Sequence, residues 1–210
     1  MKTIPEIVNF FNDDKVFITT EDHSVFTFAD VKKQLDETKD FFRKNHIQKT
    51  DTIAIVCENG PVMAASFLAT ASNCCAAPLN PSYTSSEFDF YLEDLNPKAL
   101  IVKEGSNSPV IEVAKKREIK IFNLLVNNNE PSGKFSLTSK EEKISSSVNQ
   151  NENIIPEDIA LILHTSGTTS KPKMVPLTHL NLCTSAKNIV QTLNLNRSDR
   201  CINIMPLFHI

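Results

Sequence analysis

Glycine is scarce in this chain, with only Gly60, Gly105, Gly133 and Gly167 among 210 residues, and tryptophan is absent. So little glycine, with ordinary charge content, excludes a collagen-like or low-complexity chain. No apolar run approaches the roughly 20 residues that cross a bilayer as a helix. No C-x-x-C occurs, and the five cysteines (Cys57, Cys74, Cys75, Cys183 and Cys201) are odd in number and sit among small or apolar neighbours. They read as buried, reduced thiols of an intracellular protein rather than as a disulfide framework or a zinc site. No H-x-x-x-H pair or carboxylate cluster suggests a metal. The first residues lack an apolar secretory core, no arginine precedes Arg43, and Asp13 and Asp14 come early. A signal or transit peptide is therefore not expected, and the expected location is the cytoplasm. A formal charge of −3 and a pI near 6.0 give no general attraction to nucleic acid or anionic lipid.

What is present is a globular composition, 40% hydrophobic and 22% charged, long enough for one domain or two small ones. Pro5 to Phe11 has helical apolar spacing. Val16–Thr19 and Ser24–Phe26 read as a hairpin, and Thr27 caps a helix whose apolar face is Phe28, Val31, Leu35, Thr38 and Phe42. From Thr52 onward, short apolar strands alternate with helices. Strands are expected at 52–57, 75–79, 99–102, 120–126, 159–163 and 201–205. Helices are expected at 61–71, from the capping box Thr84-Ser85-Ser86-Glu87, at 109–117 and at 178–193. Unbroken apolar strands separated by helices predict an α/β fold with a largely parallel sheet. The stretch Asn127–Asn153 is polar and biased and is expected to be a mobile surface excursion. Among the histidines, His164 is expected to be packed, His179 to cap a helix or face solvent, and His23 and His46 to be exposed.

Chemistry concentrates directly after the strand ending at Leu163. Between Thr165 and Lys173, five hydroxyl side chains, one glycine and two lysines fall in nine positions. Hydroxyls and backbone N–H groups donate to phosphate oxygens, a glycine lets backbone approach closely, and lysine supplies a point charge. Ser145-Ser146-Ser147 has the hydroxyls but neither the leading strand nor the following lysine, so it reads as linker. The segment is not G-x-x-x-x-G-K-[ST], which disfavours a P-loop NTPase.

Thr165-Ser166-Gly167-Thr168-Thr169-Ser170-Lys171-Pro172-Lys173 resembles the phosphate-loop signature of the adenylate-forming superfamily, which includes acyl-CoA synthetases, luciferases and peptide-synthetase adenylation domains. Ser170 stands where the signature usually has a second glycine, and Met174 where another is common. Pro206-Leu207-Phe208-His209 is similar to the next family motif, Phe26-Thr27-Phe28-Ala29-Asp30 to an early hairpin-to-helix turn, and Ala77-Pro78-Leu79-Asn80-Pro81 to a strand and its turn. The run from His164 to Thr178 resembles the branch of oxalate–CoA ligases and peroxisomal acyl-CoA synthetases.

The resemblance implies an incomplete N-terminal domain of the adenylate-forming fold. Residues 1–126 would be its first α/β part, 127–156 a polar loop and 157–210 the phosphate-loop part, without the C-terminal domain. It implies ATP-dependent conversion of a carboxylic acid to an acyl-adenylate and then an acyl-CoA thioester, with ATP, Mg2+ and CoA as the small-molecule partners. Thr165, Ser166, Gly167, Thr168, Thr169 and Ser170 would hold the β- and γ-phosphates. Lys173 would neutralise them, and Thr168, Lys173 and His209 would be the catalytic set, His209 lining the carboxylate pocket. Family enzymes are normally more than twice this length, so the chain is expected to be an N-terminal fragment, inactive alone and poorly soluble, with a complementing C-terminal chain as a partner. A longer product could carry a peroxisomal signal. The alternatives are a non-catalytic nucleotide-binding remnant and a purely structural α/β domain.

Overall fold

A computed structural model describes residues 1–127, 129–140, 153–165 and 172–208. Thr3 opens the first helix, α1 (Ile4–Phe10), by accepting the Glu6 N–H at 3.3 Å. The short hairpin β1 (Val16–Thr19) and β2 (Val25–Thr27) follows. Thr27 and Asp30 then form a reciprocal capping box that starts α2 (Phe28–Lys44), and the stripe Phe28, Val31, Leu35, Thr38 and Phe42 is buried as its spacing predicts.

The main sheet has the strand order β7-β6-β5-β3-β4-β8-β9. Its parallel part comprises β3 (Thr52–Val56), β4 (Cys75–Pro78), β5 (Ala99–Lys103), β6 (Lys120–Leu125) and β8 (Ile159–Thr165). Alternate side chains of these strands leave on opposite faces. Ile53 and Ile55 of β3, Ala99 and Ile101 of β5, and Phe122 and Leu124 of β6 join one core. α2 and α3 (Pro61–Ala71) belong to that core. Ala54, Val56, Leu100 and Val102 face the other core, with Phe88, Leu92 and Leu95 of α4 (Ser85–Leu95) and Val110, Val113 and Ala114 of α5 (Val110–Lys116). Helices on both faces explain why the central strands carry no polar alternation.

Thr84 and Glu87 close a second capping box at the start of α4. The Glu87 carboxylate accepts the Thr84 N–H at 2.8 Å, and the Thr84 hydroxyl accepts the Glu87 N–H at 3.4 Å. Thr84→Ala should cost about 1 kcal/mol, read as a lower urea midpoint at unchanged slope. A midpoint within error of wild type would show that α4 starts without its cap.

The structure corrects several expectations. Part of the polar excursion is ordered. β7 (Ser136–Ser139) pairs antiparallel with β6, Phe135 is buried, and the Phe135 N–H donates to Gln34 Oε1 of α2 at 3.2 Å. Gly133 adopts φ +110°, a conformation glycine takes readily, and a Cβ added there would meet the Phe26 ring at 3.3 Å, so this turn is packed onto the β1–β2 hairpin. The rest of the excursion, 141–152, lies outside the described residues. A strand that the sequence did not suggest, β9 (Lys173–Thr178), runs antiparallel to β8. Cys201–Met205 is not a strand: Ile202 is 86% and Ile204 83% exposed, with no ladder beside them among the described residues, and Cys201 is exposed rather than buried. The helix after β9, α6 (His179–Thr192), starts at its Thr178 cap, but His179 is fully buried rather than capping or solvated. No helix among the described residues is long and apolar enough to cross a membrane.

Candidate functional site

The connections define where a ligand can sit. β3 leads through α3 to β4 on one side, and β4 leads through α4 to β5 on the other side of β3. The chain therefore changes direction between β3 and β4, the arrangement that in open α/β sheets places a ligand outside the carboxyl ends of the strands. Three connections meet this edge. After β3 comes Cys57-Glu58-Asn59-Gly60, after β4 comes Leu79-Asn80-Pro81, and β8, parallel to β4, ends on the same edge at Thr165.

Each turn has a local cause. Gly60 holds φ +151°, a region open to glycine, and so lets Pro61 start α3 immediately. In the turn after β4, the Asn80 side chain accepts the Ser82 N–H at 3.0 Å, an Asx turn leading to the Thr84 cap. At the end of β8, Thr165 is the cross-strand partner of Lys173, the first residue of β9. The connection between them carries Ser166, Gly167, Thr168, Thr169, Ser170 and Lys171, all outside the described residues. Thr165 is half-buried and Lys173 exposed. The predicted phosphate segment is thus a strand-to-strand connection whose described ends face each other across an antiparallel ladder.

His209 also lies outside the described residues, but the segment leading to it does not. The Leu207 N–H donates to Asn59 Oδ1 at 2.9 Å, and Leu207 and Phe208 pack against the α2–α3 core. The run Pro206–Phe208 is thereby fixed to the β3–α3 turn. Asn59 is an anchor for that segment which the sequence reading missed. Its available signal was the Asn-Gly-Pro turn that directly follows a buried strand.

His164 is packed as expected, and its partners are on α4. Nε2 lies 2.9 Å from Asp94 Oδ2, and the ring meets Tyr91 edge-on at 4.8 Å. Tyr91 stacks on Tyr83 at 4.7 Å. Burial, together with Tyr91, pushes the Tyr83 hydroxyl well above the usual tyrosine range, so it stays protonated. Three buried cysteines are held as thiols. Burial raises Cys57 and Cys74, and raises Cys75 to about 11.

With this geometry in place, comparison with known proteins is informative. Residues 7–210 match the family described as AMP-binding enzyme. The chain is 38% identical over 165 residues to an oxalate–CoA ligase of Arabidopsis thaliana, covering 78% of this chain and 32% of the relative. It is 33% identical over 225 residues to an oxalate–CoA ligase of Saccharomyces cerevisiae, covering 95% of this chain and 41% of the relative. A solved structure of ATP-bound MatB from Rhodopseudomonas palustris superposes with a TM-score of 0.78 at 23% identity, over 99% of this chain and 41% of that one. The chain therefore spans about a third to two fifths of the length of these relatives. The fold is that of the N-terminal portion of adenylate-forming enzymes, a mostly parallel seven-stranded sheet flanked by helices.

Proposed function

The chain belongs to the AMP-binding enzyme family, and from that premise we propose that it carries the phosphate-gripping part of an AMP-forming acid–CoA ligase. Support comes chiefly from one observation: Thr165 and Lys173 face each other across the β8–β9 ladder, at the carboxyl edge of the sheet. They bracket a connection made almost wholly of phosphate donors. In this reading Thr165, Ser166, Gly167, Thr168, Thr169 and Ser170 hold the β- and γ-phosphates of ATP through hydroxyl and backbone donors, and Lys173 offsets their charge. A carboxylate oxygen of the acid attacks the α-phosphorus. The bond from that phosphorus to the α–β bridging oxygen breaks, and pyrophosphate leaves from the loop. The CoA thiol then attacks the acyl carbon, loses its proton, and AMP departs. Mg2+ accompanies the triphosphate and supplies charge neutralisation when bound. Donors fixed in advance on the leaving phosphates lower the barrier to the first step, with Thr168 and Lys173 nearest that chemistry. His209, following the anchored Pro206–Phe208, borders the acid. The relatives' names make oxalate the first acid to try, and the resemblance to acyl-CoA synthetases makes a fatty acid the second.

Titration of MgATP into the chain by calorimetry tests the grip. Wild type should bind. Lys173→Ala should weaken binding ten- to hundredfold, the equivalent of about 1.5–3 kcal/mol for one charge-assisted contact. Null heats for both proteins would sink the reading.

A further inference from the structure

The strand that delivers the phosphate segment is held unevenly. β8 registers with β4 only at Ala76 and Leu161, near its start, whereas its last residues, His164 and Thr165, pair with Met174 and Lys173 of β9. β9 is the last strand of the sheet, and its Lys173 and Met174 are exposed. Ladder bonds from a peripheral strand fix the end of β8 in one direction. They leave its tilt against the rest of the sheet to whatever grips it from above.

That grip comes from one helix. His164 lies two residues beyond Ile162 and so leaves the strand on the same face, toward the α4–α5 core. Its side chain is 5% exposed, with Nε2 2.9 Å from Asp94 Oδ2 and its ring edge-on to Tyr91. Tyr91 stacks on Tyr83, which meets Phe88 at 5.8 Å. Tyr83 belongs to the turn after β4, and Phe88 is fully buried. A single cluster thus ties the β4–α4 turn, the α4 face and the penultimate residue of β8 into one unit. The next residue is Thr165.

We infer that Asp94 and His164 are a positioning pair that fixes the direction in which β8 presents Thr165 to the phosphates. This inference rests on the proposed phosphate reading of residues 165–173. Neither side chain touches nucleotide. The hydrogen bond holds the imidazole against Tyr91, the imidazole holds the strand end against α4, and Thr165 follows from a defined point. A donor on a strand end that is already fixed loses less freedom on binding than one on a strand end that swings, so the pair acts on affinity rather than on chemistry.

The test is a double-mutant cycle read by calorimetry, with MgATP and magnesium tripolyphosphate as the two probes. His164→Leu and Asp94→Ala should each weaken both probes five- to tenfold. The double variant should be no weaker than the weaker single, because either change breaks the same contact. His164→Gln, which can still donate to Asp94, should stay within twofold of wild type. A purely structural pair would lower the melting temperature but leave affinity in the folded protein unchanged, so melting is followed in parallel by circular dichroism. Single variants that fold and bind within twofold of wild type would overturn the inference, and so would losses that multiply in the double variant. Should His164→Leu fail to fold, Asp94→Ala decides alone, since that carboxylate is 40% exposed. If wild type binds neither probe, the phosphate reading itself falls and the pair has nothing to position.

Discussion

Phe122→Ala should remove about 3–5 kcal/mol of stability, a large share of the 5–15 kcal/mol typical of a folded domain. Phe122 is fully buried in β6, with β5 on one side and β7 on the other. Its ring meets Phe41 edge-on at 4.9 Å and Phe42 at 6.1 Å, both on α2. Truncation therefore loses the transfer energy of a ring, two aromatic contacts of about 0.5–1.5 kcal/mol each, and the space between a helix and a sheet that are both pinned elsewhere. α2 cannot simply settle into that gap. Its start is fixed by the Thr27–Asp30 capping box, and Gln34 accepts the Phe135 N–H beside β7. Urea unfolding should show a lower midpoint. A loss below about 1 kcal/mol would mean that α2 relaxes freely onto the sheet despite its cap and the Gln34 contact. Phe122 lies far across the sheet from β8 in strand order, so MgATP affinity of the folded variant should match wild type.

The elements legible in the sequence are those whose signal is local or whose burial is symmetrical. β3 and β5 read correctly because both of their faces are covered, leaving nearly continuous apolar runs. α2 and α4 read correctly because Thr27 with Asp30, and Thr84 with Glu87, announce their own starts. The misses share a different physics. β9 contains Pro176, which argues against a strand, yet a peripheral strand can leave the missing N–H on its unpaired side. β7 is Ser-Leu-Thr-Ser, polar because only part of it touches the core, and its pairing with β6 is not a local property. Cys201–Met205 is apolar apart from Asn203, as a strand could be, but apolar residues make a strand only where a neighbour offers a ladder. In the candidate site, the hydroxyl-and-lysine motif was visible because its chemistry is contained in nine consecutive residues. Asn59 and Asp94 were not, because each acquires its role from a partner 148 or 70 residues away.

His179 was misread for the same reason, and its surroundings carry a second large effect. At the first position of α6 a histidine usually faces water. Here its N–H donates to the Asp158 carbonyl at 3.1 Å, which draws the helix start inward beneath α1. The Ile4 N–H, one of the orphan donors at the start of α1, donates to His179 Nδ1 at 3.2 Å. Nδ1 must therefore be unprotonated, and the neutral ring carries its proton on Nε2. Nε2 is buried near the Ala71 carbonyl without a hydrogen bond of normal geometry. Burial lowers the His179 pKa below its ordinary 6.5, against smaller opposing effects of the Asp158 carboxylate and the Ala71 backbone. The sign of the pH effect follows. As pH falls below about 6.5 the unfolded chain takes up a proton that the folded chain resists, so folded stability declines toward acid by up to about 1.4 kcal/mol per pH unit. The loss levels off once pH passes below the folded-state value. Above pH 6.5 His179 is neutral in both states and its contribution is flat. His179→Ala should cost about 2–4 kcal/mol at pH 7.5, through lost packing and an orphaned Ile4 N–H. His179→Gln keeps an acceptor for Ile4 but cannot take a proton, so it should cost less and lose the part of the acid slope that belongs to this ring. Urea midpoints of the three proteins from pH 5 to 8 measure both effects. An acid slope identical in wild type and His179→Gln would show that the imidazole is not the group that couples α1 docking to pH.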